Sequence, residues 1–303
     1  MRQIKLDGID GTHLFGFIAA LGTLVLLDEH ARAHKLPVPQ MQFMRDGIAM
    51  ISGLDLTAEQ LVTAVFEGLK ASRSFYEKEL CIVKRPTDFT QVSFTQLAAS
   101  ASRKESNILS GLACCVGEKV FESTLCAANG ASHQNLIQSM RDILGLLDKE
   151  HIRAALLMPW RKSYEIPDTI RKQQELGTRK PTLRLDPADE RLYAMRFSNP
   201  TTTDDFKTEL GAQALTIPAF SVLPVVPLAR PLSVASNRRG SRVFFSWSLW
   251  EQPATLPSVR SLLVAGIERP EEMRARGAFA AFRAARVSGE KGKLSFAPSE
   301  GVW

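Results

Sequence analysis

Apolar residues at Leu14, Phe17, Ile18, Leu21, Leu24 and Val25 repeat at helical spacing and predict a long helix over residues 12–34. Asp10 or Thr12 stands where an N-terminal cap belongs. The stretch is apolar nearly all round as far as Leu27, which predicts a central buried helix rather than a surface one. A short strand at 3–6 precedes it, followed by a turn containing Gly8 and Gly11. Residues 41–44 and 48–51, separated by Asp46 and Gly47, read as a β-hairpin. Thr57 and Gln60 form a capping-box signature at the head of a helix over 56–72.

Further along, residues 81–94 read as extended and 94–129 as partly helical. Residues 132–147 form an amphipathic helix, and Asp148 opens another over 149–157 that Pro159 and Trp160 close. Residues 161–180 are strongly polar and read as a loop. Strands are expected at 181–185 and 192–197, joined by a charged turn of Asp186, Pro187, Ala188, Asp189 and Glu190. Pro218, Pro224 and Pro227 predict irregular or edge structure over 214–226. Residues 242–250 alternate as a strand, 258–264 read as another, and 271–286 as a helix. The expected fold is α+β: one intertwined unit with a buried N-terminal helix, several helices and antiparallel hairpins. If it divides, the parts are a mainly helical 1–160 and a strand-rich, basic 181–303 joined by the polar loop.

Composition narrows the class. The 303 residues are 45% apolar and 23% charged, as in ordinary globular chains. The most apolar run, 14–27, is shorter than the roughly 20 residues of a spanning helix, and it lacks a basic leader. A cytoplasmic protein is the expectation. The net charge is +6, and residues 228–303, with 12 basic and 6 acidic residues, account for all of it. A basic C-terminal quarter points to an anionic partner, of which nucleic acid is the commonest.

Catalytic signatures are missing. There is no phosphate-binding G-x-x-x-x-G-K-[ST], no G-x-G-x-x-G and no G-x-S-x-G. Cys81, Cys114, Cys115 and Cys126 form no C-x-x-C pair, which argues against a zinc ribbon and fits buried free thiols. His30 and His34 lie one helical turn apart and could hold a metal, but histidine also suits a helix C-terminus. Cys126 with His133 or His151 could in principle be a nucleophile and base, but nothing specific surrounds them and a core cysteine is the better reading. Asp186, Asp189 and Glu190 fit a solvated turn better than an acid–base site. No catalytic residue, metal or cofactor is expected.

The basic positions carry more. Trp160, Arg161 and Lys162 stand together, and Arg184, Arg191, Tyr193 and Arg196 follow in the expected hairpin. Arginine beside an exposed aromatic can hold a phosphate backbone and stack a base. Arg238, Arg239 and Arg242 flank Gly240 and Ser241 in a basic tip suited to tracking phosphates. The competing reading places Trp160 and Tyr193 in the core and pairs the arginines with Asp186, Asp189 and Glu190.

Several stretches resemble a known family. Leu6-Asp7-Gly8-Ile9-Asp10, followed by Leu14 and Phe17-Ile18-Ala19-Ala20-Leu21-Gly22, looks like the start of CRISPR-associated proteins of type I-G (formerly I-U) systems. Ser132-His133-Gln134-Asn135-Leu136, His151 through Leu157, Pro159-Trp160-Arg161, Pro181 through Pro187, Glu190 through Arg196 and Asn199-Pro200 follow in an order similar to a family found alone or as an extension of the helicase–nuclease. The resemblance covers about half the chain, in patches. It implies a non-catalytic subunit in RNA-guided antiviral defence, with guide RNA or target DNA and the helicase–nuclease among its partners, and no membrane. The residues alone leave open an adaptor that touches no nucleic acid, or a hydrolase.

Overall fold

The computed structural model describes residues 2–81, 83–127, 136–160, 182–186, 209–288 and 294–303. The fold is α+β with antiparallel sheets and a buried N-terminal helix, as expected. Strand β1 (Ile4–Asp10) runs through Gly8, so the expected turn there is strand. Helix α1 (Leu14–His34) follows, with every residue from Leu14 to Asp28 buried. Asp10 does not cap it directly; its Oδ1 accepts from the Thr12 amide at 2.8 Å and the Thr12 hydroxyl at 2.7 Å, tightening the turn before the helix. The helix is long and apolar enough to cross a membrane by length and composition, which the shorter run in the sequence did not suggest. It lies inside the protein, with 89% of its most apolar window buried.

The hairpin of β2 (Gln40–Phe43) and β3 (Ile48–Ser52) and the capped helix α2 (Ala58–Lys78) form where the pattern placed them. In the capping box, Gln60 N donates to Thr57 Oγ1 at 3.2 Å and Thr57 N to Gln60 Oε1 at 2.8 Å. The expected extended segment at 81–94 is instead a 3-10 turn and the start of α3 (Gln91–Ser100). A Thr90–Ser93 capping pair nucleates that helix. Helix α4 (Arg103–Leu112) leads to a small hairpin of β4 (Ala113–Val116) and β5 (Lys119–Glu122). Helices α5 (Leu136–Leu146) and α6 (Lys149–Leu157) match the expected pair, Asp148 capping the second.

The C-terminal part departs more from expectation. Helix α7 (Leu210–Ala219) replaces the irregular segment, with Pro218 tolerated in its last turn and every residue buried. After it come β6 (Val225–Val226), β7 (Leu232–Ser233), β8 (Ser236–Arg239), β9 (Arg242–Trp250) and β10 (Ala254–Thr255). The strand expected at 258–264 is helix α8 (Leu256–Ala265): Pro257 sits in its first turn, and Leu256, Val259, Leu262 and Leu263 bury one face at helical spacing. Of the helix expected over 271–286, only α9 (Pro270–Ala275) forms. Gly277, at φ 88°, ends it, and β11 (Ala278–Ser288) takes the alanine-rich remainder into a strand. Ladder bonds and packing against β9 outweigh the helical preference of alanine there. Strands β12 (Leu294–Phe296) and β13 (Glu300–Gly301) complete the described elements.

Two sheets share one core. The first has the order β1-β3-β2-β10 and the second β12-β11-β9-β8, with β13 also paired to β11. Strand β10 comes from late in the chain yet pairs with β2. The buried indoles fasten the two parts: Trp247 Nε1 donates to Gly11 O at 2.8 Å and Trp250 Nε1 to Met41 O at 2.7 Å. Phe17 of α1 stacks on Phe43 and Trp247 at 6.1 and 5.5 Å and meets Trp250 edge-on at 6.3 Å. A division between residues 160 and 181 would cut through this shared core.

Helix α1 crosses α7 where only glycine fits: a Cβ on Gly22 would lie 1.7 Å from Leu215 O. A backbone carbonyl in a packed helix cannot move aside as a side-chain tip can. Gly22→Ala is therefore expected to lower unfolding stability by roughly 3 kcal/mol, the upper part of the range for overpacking. Gly145→Ala, whose nearest atom would be Arg73 Nη2 at 3.9 Å, should be neutral or raise stability by about 0.5 kcal/mol. Denaturant unfolding of the two variants checks the contrast.

Candidate nucleic-acid interface

The basic tip expected around residue 240 is a hairpin. Strands β8 and β9 pair with Arg239 opposite Arg242 and Arg238 opposite Val243, and Gly240 at φ 61° makes the turn. Strand β8 is the sheet's edge and the tip extends into solvent, so Arg238, Arg239, Ser241 and Arg242 are all exposed. Two guanidinium groups directly across a ladder repel one another. One finds a partner: Arg239 meets Glu268 with contacts of 3.0 and 3.1 Å. Both side chains are about half exposed, 49% and 59%, so the pair is worth roughly 0–1 kcal/mol and is readily exchanged for another anion. Arg238 and Arg242 make no ion pair among the described residues.

Elsewhere in the basic quarter, carboxylates take up much of the charge, although exposed Arg230 and Arg260 make no ion pair among the described residues. Arg269 and Arg276 pair with Glu272, Arg274 with Glu271, Arg283 with Glu300 and Arg286 with Glu122. The excess that looks diffuse in the sequence thus leaves an open cluster at the hairpin tip.

The other expected contacts fare differently. Arg184 is only 8% exposed and does not present its guanidinium to a polyanion. Its segment forms no strand: residues 182–186 lie against α7, where Gln213 Oε1 accepts from Leu183 N at 3.0 Å and Gln213 Nε2 donates to Thr182 Oγ1 at 3.2 Å. Arg184 itself sits at φ 57°. A buried glutamine supplying hydrogen bonds allows this irregular backbone inside the core. Asp186 is buried at 7%, so the solvated-turn reading fails for it. Trp160 is half-buried rather than a free stacking platform: its ring packs 4.9 Å from Phe15 and its Nε1 donates to Ala155 O at 2.9 Å. Arg161, Lys162, Arg191, Tyr193 and Arg196, with Asp189, Glu190 and His133, lie outside the described residues.

Among the described residues, the groups considered for chemistry form no metal cluster: no three or more His, Cys, Asp or Glu come together to hold an ion. The rings of His30 and His34 lie 4.2 Å apart, tilted by 34°, and His34 Nδ1 lies 2.9 Å from His30 O, an ordinary helix-end contact. Cys126 is fully buried, and burial, with the Glu122 charge, pushes its thiol well up. Burial likewise raises Cys114 and Cys115. His151 is pushed down by burial despite the neighbouring Asp148. One feature escaped the sequence reading: a cavity where Asp7, Asp10, Asp186 and Trp160 come together from distant segments. The carboxylates around Gly8 were its only local sign.

The thiols give a direct check. A neutral alkylating reagent at about pH 8 reacts with thiolate, so exposed Cys81 should be labelled first, Cys114 and Cys115 more slowly, and Cys126 only after unfolding. Peptide mass spectrometry reads the order, and rapid labelling of Cys126 in the native protein would restore it as a nucleophile. Neither a scan against protein-family models nor a search of the curated proteins finds a match to this sequence.

Proposed function

We propose that this protein is a non-catalytic subunit of a CRISPR-type antiviral defence complex that acts in the cytoplasm and binds nucleic acid through the β8–β9 tip. The observation that carries the binding role is the pair of exposed arginines, Arg238 and Arg242, that make no ion pair among the described residues while the other arginines of β11 and α9 are neutralised. The third guanidinium, Arg239, is held only by an exposed carboxylate. A two-residue turn at a sheet edge presents all three without burying any of them. Phosphates can approach such a tip from several directions, which suits backbone contact more than base reading. The defence-system assignment rests on the family resemblance of the N-terminal and central stretches, and the helicase–nuclease is the partner it implies.

Binding of this kind releases condensed counterions and weakens steeply with salt. Fluorescence anisotropy with a single-stranded RNA, a single-stranded DNA and a duplex, titrated between about 50 and 200 mM salt, tests it. The double variant Arg238→Ala, Arg242→Ala should reduce the log–log salt slope by about 1.4 on a single strand, roughly 0.7 for each phosphate that is no longer neutralised. Its fold should be unaffected, because neither side chain packs into the core. Absence of binding at the lowest salt, or an unchanged slope in the variant, removes the reading.

A further inference from the structure

We propose that Asn237 and Arg239 form a phosphate subsite on one face of the β8–β9 hairpin, and that Glu268 occupies it as an internal competitor in the free protein. For its nucleic-acid ligand this rests on the reading of the tip given above, and it adds the residues of one subsite and what holds that subsite closed. Side chains alternate along a strand, so Asn237 and Arg239 share a face of β8, with Arg242 directly across from Arg239 on β9. Two donors converge on a single oxygen there. Asn237 Nδ2 donates to Glu268 Oε1 at 3.1 Å, and Arg239 Nη2 reaches the same oxygen at 3.1 Å and Oε2 at 3.0 Å. The Asn237 amide is aimed by a second bond, from Nδ2 to the hydroxyl of buried Ser246 at 3.2 Å. Turned over, it would set its carbonyl against the carboxylate.

Glu268 is placed to yield. Its backbone is anchored, because Ile267 beside it is buried and Trp303 Nε1 donates to Ile267 O at 3.1 Å. Its carboxylate is 59% exposed and can turn into water without disturbing that anchor. Its hold on Arg239 is also incomplete. One guanidinium nitrogen serves both carboxylate oxygens, while Nε and Nη1 make no hydrogen bond or ion pair among the described residues. A phosphodiester carries two non-bridging oxygens that share one negative charge, as a carboxylate does. Arriving from solvent, it can use the two parallel donors of the guanidinium fork, the stronger geometry. Arg242 favours it further, since that guanidinium makes no ion pair among the described residues and faces the same side. Free phosphate shares this chemistry with the backbone of a nucleic acid.

The side-chain amide resonance of Asn237, assigned with Asn237→Ala, reads the subsite directly. Inorganic phosphate at constant ionic strength should shift it saturably, and Glu268→Gln should lower the phosphate concentration needed by about threefold to fivefold, the worth of an exposed pair. The same variant should tighten a single-stranded RNA by a similar factor in anisotropy at about 100 mM salt. Adding Arg239→Ala should abolish both gains, whereas a mere loss of negative charge near the tip would keep them. An Asn237 amide unmoved by phosphate in wild type and Glu268→Gln alike, or a gain that survives Arg239→Ala, overturns the proposal. So does RNA binding that depends on Arg238 and Arg242 yet is unchanged by Glu268→Gln, and in that case the broader reading of the tip stands. A phosphate response without any RNA binding removes that broader reading and assigns the subsite to free phosphate.

Discussion

Burial of α1 on every side is the constraint the rest of the molecule answers to. A helix with no polar face needs partners all around, and they come from every part of the chain. Helix α7 presses on it at Gly22, α2 lies along it, and Phe17 extends from it into the aromatic cluster of Phe43, Trp247 and Trp250. Because α7 is itself wholly buried, the two form a double axis rather than a core helix under a surface layer. The sheets are arranged about that axis, and the indole bonds to Gly11 and Met41 hold them there.

The same economy governs the charges. A basic C-terminal quarter could have formed a broad positive face, but most of its arginines meet a glutamate three or four residues away or across a strand. Pairs of this kind contribute little to stability. Their consequence is a local field that is nearly neutral over β11 and α9 and positive at the β8–β9 turn, where no carboxylate lies across the ladder. Placement, more than net charge, decides where an anion would be held.

Much of the N-terminal half was legible because local signals agreed with the final packing. Thr57 with Gln60 and Asp148 with His151 mark helix starts that the structure keeps, and the alternation of 242–250 survives as β9. The failures fall where tertiary contact reversed a local preference. Alanine-rich 278–286 reads as helix, yet its residues are drawn into register with β9. Val259, Leu262 and Leu263 read as a strand until the proline of the first turn and the one-sided burial are considered together. Arg184 looked like a surface arginine because nothing nearby announces that Gln213, about thirty residues on, will fold its segment inward. The acidic cavity was hidden for the same reason: Asp186 and Asp10 are neighbours only in space.

The indole of Trp250 and its acceptor on Met41 are separated by 209 residues of chain. Synthesis proceeds at about 5–20 residues per second, so roughly 10–40 seconds pass between the emergence of the one and of the other. Through that interval β2 has no β10 beside it and α1 lacks the two tryptophans, and for most of it α7 as well. The newborn amino-terminal portion thus waits, greasy and half-clad, for the late strands that complete its covering.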